Sequence, residues 1–592
     1  SMKGFIKSVL ATIVGIVVFV IIAGIFGVMS IVGMVASGQA TQTVEDGSVL
    51  VLDLSGTIEE QGQDDIIGKL TGSYASTTGL NDILAAIGKA KDNPNVKGIY
   101  IEAGVLSASY ATLQEIRGAL EQFRKSGKWI VAYADSYSQG AYYVSSAANK
   151  VYINPQGMLE WHGIGTQPIF YKDLLAKFGV KFQVVKVGTF KSATETYTEG
   201  HMSDANRLQT QTFVGGMWNN VCQAVSKSRG ISIDSLNSYA DELTEFQPTN
   251  LLVKRKMVDG VMYTDKVKDV VKKMLKLEDD DIVPQISVSD MLNTKDTNTA
   301  DDEIAVYYAY GSIVQSDAAS ALTGGGHNIV ASKVCKDLEA LMNDDGVKAV
   351  VIRINSGGGD AYASEQIWHQ VSMLKQKKPV VISMGDYAAS GAYYMSAPAS
   401  WIVAQPNTLT GSIGIFAAIP DMSGLVTQKL GVKFDEVKTN RHTTFGNIMA
   451  RPFSAEETAI LQAYVNRGYQ LFRKRVADGR HLPTEAVEKI AQGRVWLGND
   501  ALKIKLVDQL GSLDDAVRKA AQLAKVKSYY TTDYPAPLSW TDQLLSSVGG
   551  GNYLDEQLRL TLGDMYEPFC MMRNLNNRQA LQARMPYVLN IR

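Results

Sequence analysis

The chain repeats itself at an offset of 251 residues, and no other feature constrains its fold as much. Val96-Lys-Gly-Ile-Tyr-Ile101 stands that far before Val347-Lys-Ala-Val-Val-Ile352. Without a gap, the same offset pairs Asp135-Ser-Tyr-Ser-Gln-Gly-Ala-Tyr-Tyr143 with Asp386-Tyr-Ala-Ala-Ser-Gly-Ala-Tyr-Tyr394. It then carries Pro155 onto Pro406 and Gly163-Ile164 onto Gly414-Ile415. Near the end of each copy, Lys256-Met-Val-Asp259 answers Lys505-Leu-Val-Asp508. A unit this long is not the short period of a solenoid, so a whole domain has been duplicated. We expect one copy over 45–292, a polar linker over 293–302 (Asn293-Thr-Lys-Asp-Thr-Asn-Thr-Ala-Asp-Asp302) and a second copy over 303–528. Residues 529–592 form a tail to which the repeat assigns no role.

Within a copy the pattern alternates. Val347 to Ile354 is a β-branched run ending in Asn355-Ser-Gly-Gly-Gly359, and so reads as a buried strand feeding a glycine turn. Ile367, Val371 and Leu374 have helical spacing, Pro379 to Ser383 reads as the next strand, and a helix is expected from Ser390. Strand, helix, strand, helix predicts an α/β layer of parallel strands joined by right-handed crossovers. Ligand sites in such sheets gather where strands end and helices begin, as Gly357–Gly359 and Ser390-Gly391 do.

Ahead of the first copy, residues 8–44 carry no charge and Val9 to Ala36 is almost wholly apolar. This run is long enough to span a bilayer as a helix, and about twice the length of a signal-peptide core. Lys3 and Lys7 precede it, and Glu45 and Asp46 come after it. That asymmetry predicts an uncleaved single-pass anchor over 1–44, in contact with membrane lipid, with a cytoplasmic amino terminus and the body outside. The competing expectation is cleavage after Ala-Ser-Gly-Gln-Ala40.

Composition excludes other classes. With 58 basic and 60 acidic residues, no basic surface for nucleic acid is expected. Cys222, Cys335 and Cys570 form neither a CxxC pair nor a disulfide framework, and the six histidines include no HExxH or HxH pattern. No metal or cofactor is predicted.

The two copies differ where chemistry could sit. Ser390 has Ala389 and Gly391 beside it, small neighbours that let a substrate backbone approach, but its Ala-Ala-Ser-Gly-Ala setting is not the GxSxG elbow. Its counterpart is Gln139, and Gly358-Gly359 are answered by Ser107-Ala108. Reading a further strand after each nucleophile region, Val184 to Glu195 aligns with Glu436 to Asn447, which places Lys191 opposite Thr443. One copy has kept the lysine and lost the serine; the other has kept the serine and lost the lysine. A lysine is a general base only when neutral, which burial promotes. Val187, Phe190 and Ala193 permit such a setting, and Ser412 reads equally as a hydroxyl near the amine or as a plain turn residue. No histidine is placed as a base by any motif.

Val-Gly-Thr-Phe-Lys191-Ser-Ala, Arg-Ile-Asn-Ser-Gly-Gly-Gly359, Tyr-Ala-Ala-Ser390-Gly-Ala-Tyr-Tyr and Leu-Thr-Gly-Ser412-Ile-Gly-Ile together resemble the signal peptide peptidase A (protease IV) family in its long, duplicated form. These are Ser/Lys serine endopeptidases related in fold to ClpP and the crotonases. The resemblance runs from the anchor to about residue 525. It implies Ser390 as nucleophile, Lys191 as base, Ser412 as the hydroxyl that orients the lysine, and the amides of Gly359 and Gly391 as an oxyanion hole. It also implies signal peptides left in the membrane as substrates. The working unit it implies is a homotetramer on the extracytoplasmic side of the cytoplasmic membrane, its sites facing a shared interior. One departure is Ser356-Gly357, where the family often has Ser-Pro. Two rival expectations are an acyl-CoA enzyme of the crotonase type and an inactive membrane scaffold.

Overall fold

The computed structural model describes residues 41–62, 77–316, 327–536 and 582–584, and Phe19 besides. The span expected over 9–36 therefore lies, but for Phe19, outside the described residues. Among these no helix is long and apolar enough to cross a membrane.

The first copy is built on a parallel sheet. Its strands are β1 (Ser48–Glu59), β2 (Thr77–Gly79), β3 (Val96–Ser107), β4 (Trp129–Ala134) and β5 (Lys150–Ile153). Then come β6 (Lys181–Lys186), which leaves this sheet, and the short β7 (Gly260–Val261) and β8 (Gln285–Ile286). The order is β2-β1-β3-β4-β5-β7, with β8 also on β1. Helices Leu80–Asp92 and Tyr110–Lys125 make the crossovers. Their apolar stripes (Ile83, Ala86 and Ile87; Leu113, Ile116 and Leu120) bury against Leu50, Leu52, Ile99 and Ile101. A strand covered on both faces by helices reads as a continuous apolar run, as Val49–Leu52 of β1 does.

The second copy repeats the plan with β9 (Glu303–Tyr310), β10 (Ser312–Val314), β11 (Asn328–Val330), β12 (Val347–Ser356), β13 (Gly358–Asp360) and β14 (Val380–Ala389). It continues through β15 (Trp401–Ala404), β16 (Leu409–Gly411), β17 (Phe416–Asp421), β18 (Val495–Leu497) and β19 (Gln509–Leu510). The main sheet runs β18-β16-β14-β12-β9 and ends on β20 (Tyr530–Tyr534). That edge strand pairs in parallel with β9, so the chain beyond Tyr529 completes the second copy's sheet. The helix expected around Ile367–Leu374 spans Ala361–Lys377, capped by the Asp360 carboxylate.

A third sheet joins the copies. Its order is β11-β10-β13-β21-β17-β6, where β21 is Gln582–Arg584. Here β6 of the first copy runs antiparallel to β17 of the second, from Phe416↔Lys186 to Asp421↔Lys181. Val185 thereby joins the second copy's core. One expectation fails at this point. The alignment set Val184–Glu195 against Glu436–Asn447 after a further strand, but residues 436–447 hold no strand and Thr443 is exposed. The physical reason is that β6 finds its partner in β17 across the copies, so the 436–447 segment has no ladder to join.

A buried ionic cluster pins the copies together. The Arg353 guanidinium on β12 reaches Glu60 at 2.8 Å and Glu115 at 2.9 Å, both from the first copy. Burial opposes its charge, but the two carboxylates outweigh that and hold it charged. Asp386 accepts from the Thr112 amide at 2.8 Å and its hydroxyl at 2.7 Å, capping a first-copy helix from the second copy. Removing one member of such a cluster strands the others in a dry interior.

Candidate active site

Ser390 lies where β14 ends and the helix Gly391–Ser396 begins. Its backbone is strained, at φ 57° and ψ −115°, a region a residue with a side chain adopts only under constraint. The constraint is visible. The Ser390 amide donates to the Gly411 carbonyl at 2.8 Å on β16, and Ala389 is paired with Gly411. Upstream, β14 carries extra residues against β12 between Ile354↔Met384 and Ser356↔Ala388. A bulge of this kind bends its strand and re-aims the residues downstream.

Lys191 arrives from the other copy. After β6 the chain is held by hydrogen bonds from the Val187 amide to Ile415 O (3.1 Å) and from the Phe190 amide to Gln492 O (2.8 Å). The side chain is fully buried. Its Nζ stands 2.7 Å from Ser390 Oγ, 3.0 Å from Ser412 Oγ and 3.0 Å from the Ser412 carbonyl. Burial lowers its pKa well below the ordinary lysine value. The nearest acid in sequence, Glu195, is taken by Ser203 and Asn206 instead. Ser412 too has a left-handed backbone, φ 48°, with its amide on Arg494 O at 2.7 Å. The structure thus brings to the lysine two serines that are 199 and 221 positions away from it in the chain.

The glycine turn borders this cluster. Gly358 has φ +98°, and a Cβ on Gly359 would stand 2.2 Å from Ile313 O, so only glycine fits. Gly391 heads its helix, where the first amides have no intrahelical carbonyl to meet. β21 pairs antiparallel with Gly358–Asp360 on one side and with Phe416 on the other, which places an extended backbone between β13 and β17. Just before the turn, Asn355 ties the site to the seam. It donates to Glu60 and Asp386 and accepts from the Tyr387 amide.

Sequence reasoning passed over Gly414 and the Ala491-Gln-Gly-Arg494 segment, both of which wall the lysine. The signal was available: near the end of the copies the offset becomes 249, and there Gly493 stands where the first copy has Thr244. No histidine is hydrogen-bonded to Ser390 or Lys191 among the described residues; His442 lies instead beside Glu456 and Glu457. Among the described residues no group of His, Cys, Asp and Glu side chains could hold a metal ion. Cys222 and Cys335 are free thiols, and Cys570 lies outside the described residues.

Comparison with known proteins gives two family matches. The model of peptidase family S49 matches twice, over 122–278 and 372–527, and that of Clp protease matches 304–408. The chain is 35% identical to Protease 4 of Salmonella typhi over 90% of its length and 87% of that protein's. It is 32% identical to Protease 4 of Haemophilus influenzae, covering 84% of this chain and 82% of that one. Against the chloroplastic serine protease SPPA of Arabidopsis thaliana it is 30% identical, over 86% and 74%.

Proposed function

The chain belongs to peptidase family S49, in its long form with two S49 domains, and is a serine protease; from that premise we propose that Ser390 is its nucleophile and Lys191 its general base. The observation that carries the reading is the 2.7 Å contact between a fully buried lysine amine and a strained serine hydroxyl. The acyl-CoA and scaffold expectations fall away with the family.

The chemistry rests on the neutral amine. As Ser390 Oγ attacks the scissile carbonyl carbon, its proton passes to Lys191 Nζ. The carbonyl electrons move to the oxygen, and the amides of Gly359 and Gly391 stabilise that oxyanion. The ammonium then protonates the leaving nitrogen as the C–N bond breaks, leaving an ester on Ser390. Water gives a proton to the neutral lysine, attacks the ester and frees the acid; Lys191 returns the proton to Ser390. The Ser412 hydroxyl and carbonyl hold the amine on line through both halves of the cycle. An extended substrate pairing between β13 and β17, as β21 does, would bring its backbone past the glycine turn.

For substrate, the reading is signal peptides left in the membrane after export, cut within their apolar segments. A relative from Enterococcus faecium, 34% identical over 33% of this chain and 57% of its own length, has a name that includes signal peptide peptidase SppA. The apolar run over 9–36 supports a single-pass anchor with the body on the extracytoplasmic side, and the working unit is a homotetramer. Incubating the detergent-solubilised chain with a synthetic signal peptide tests this. Mass spectrometry is expected to find cuts inside the apolar core, absent with Ser390→Ala. Cutting by Ser390→Ala at the wild-type rate would overturn the assignment.

A further inference from the structure

Why should the lysine amine stand on line with Ser390 rather than swing among the rotamers a long side chain allows? The walls around it are backbone. A Cβ on Gly493 would stand 2.6 Å from Lys191 Cβ, 2.7 Å from its amide nitrogen and 2.8 Å from its Cα. Further along the side chain, a Cβ on Gly414 would stand 3.2 Å from Lys191 Cδ and 3.0 Å from the Gly493 Cα. The two segments are fastened to each other, since the Gly493 amide donates to Ile413 O at 2.8 Å. Gly493 has φ +75° and comes directly after Gln492 at φ 56°, two successive left-handed residues. We infer that Gly414 and Gly493 form a slot whose shape fixes where the Lys191 amine stands, and that they are positioning residues for the reaction.

The first copy supplies the contrast. Left-handed residues mark equivalent places, Leu243 (φ 50°) with Gln492 (φ 56°) and Lys256 (φ 61°) with Lys505 (φ 63°). That register puts Thr244 at the place of Gly493. Gly163, the counterpart of Gly414, has nothing within 4 Å of its Cβ position. The walls are tight only in the copy that receives the lysine. The shared fold alone does not explain this, because each copy is built on its own sheet of the same plan.

Other charges near the lysine do not hold its amine. Lys186 Nζ meets the Lys191 carbonyl at 3.4 Å, Arg494 lies over the Phe190 ring at 5.1 Å, and Glu195 is engaged by Ser203 and Asn206. The amine's state therefore depends on staying in its buried slot.

This inference rests on Lys191 being the base, and its test separates the two. The full chain in detergent is assayed on a fluorogenic peptide with Gly414→Ala, Gly493→Ala and Lys191→Ala. Gly414 has an ordinary backbone, so Gly414→Ala folds and presses only on its close neighbours. Its kcat is expected to fall about 10–100-fold, as for a displaced reacting group, with KM nearly unchanged. The acid limb of its pH profile should move to higher pH by about one unit, because a dislodged, better-hydrated amine regains its proton. Gly493→Ala strikes backbone and should lose more. If Lys191→Ala retained turnover, the base assignment would fail. If Lys191→Ala were dead but Gly414→Ala kept the wild-type kcat and acid limb, only the slot would be refuted. A loss in Gly414→Ala that tracked the unfolded fraction with an unmoved limb would refute it equally.

Discussion

The strand-to-helix junctions of the two copies began as one structure and now do opposite things. In the second, Ser390 is strained at φ 57° and its helix starts at Gly391. In the first, the helix starts one position earlier, at Gln139, after Ser138 in ordinary extended backbone at φ −67°. Gln139 is also saturated. Its Nε2 donates to Tyr110 Oη (2.6 Å) and Gly163 O (3.0 Å), and its Oε1 accepts from the amides of His162 and Gly163. Where the second copy has a strained serine, the first has a hydrogen-bonded plug. Strain is kept at the junction that carries the proposed nucleophile, and the junction that carries none is relaxed.

The contrast can be broken most forcefully at the dyad. Ser390→Ala and Lys191→Ala should each lower kcat/KM about 10³–10⁶-fold, because the two act as one unit. Lys191→Arg should be nearly as damaging, since guanidinium stays protonated, whatever room it finds. Steady-state kinetics on a peptide substrate reads all three. A smaller effect is expected from Ser412→Ala. It removes one of three contacts to the amine and leaves the Ser412 carbonyl, so about a 10–100-fold loss in kcat should result.

The plug is sharpened by Gln139→Ala. It strands Tyr110 Oη and the backbone groups of residues 162 and 163, and should cost about 1–3 kcal/mol in urea unfolding while leaving kcat intact. The smallest effect concerns pH and stability. The folded lysine has a pKa below its unfolded value, so the unfolded chain binds more protons between the two. Stability should therefore rise with pH across that window, and the cost of burying the amine is fully present below it. Lys191→Met should flatten this slope and raise stability by about 1 kcal/mol at neutral pH, measured by thermal melts at several pH values.

Much of this was legible in the sequence because duplication supplies an internal comparison. Gln139 against Ser390 pointed to copies with different roles without any knowledge of shape, whereas setting Lys191 against Thr443 did not hold. The β-branched run Val347–Ile354 and the helical spacing of Ile367, Val371 and Leu374 likewise pointed to the α/β layer. The third sheet was not legible. A pairing between β6 and β17 depends on how the copies dock, and a period-two pattern does not name its partner. The same blindness set Lys191 against Thr443, in a segment that holds no strand. The Arg353–Glu60–Glu115 cluster was hidden for another reason: an isolated charge in a strand reads as an exposed position until its partners, 293 and 238 residues away, are known. Gly414 and Gly493 carried no sign of their contact with the lysine in the sequence, because a glycine's contact with a distant lysine depends on how the copies dock.

The central claim, that one copy's lysine activates the other copy's serine, is tested most directly by the rate at which a fluorophosphonate labels the protein as pH is raised. The account predicts one adduct, located by mass spectrometry on Ser390, with a rate that climbs through an apparent pKa well below that of an ordinary lysine and collapses in Lys191→Met. Labelling of Ser390 at the same rate and with the same pH dependence in Lys191→Met would contradict it.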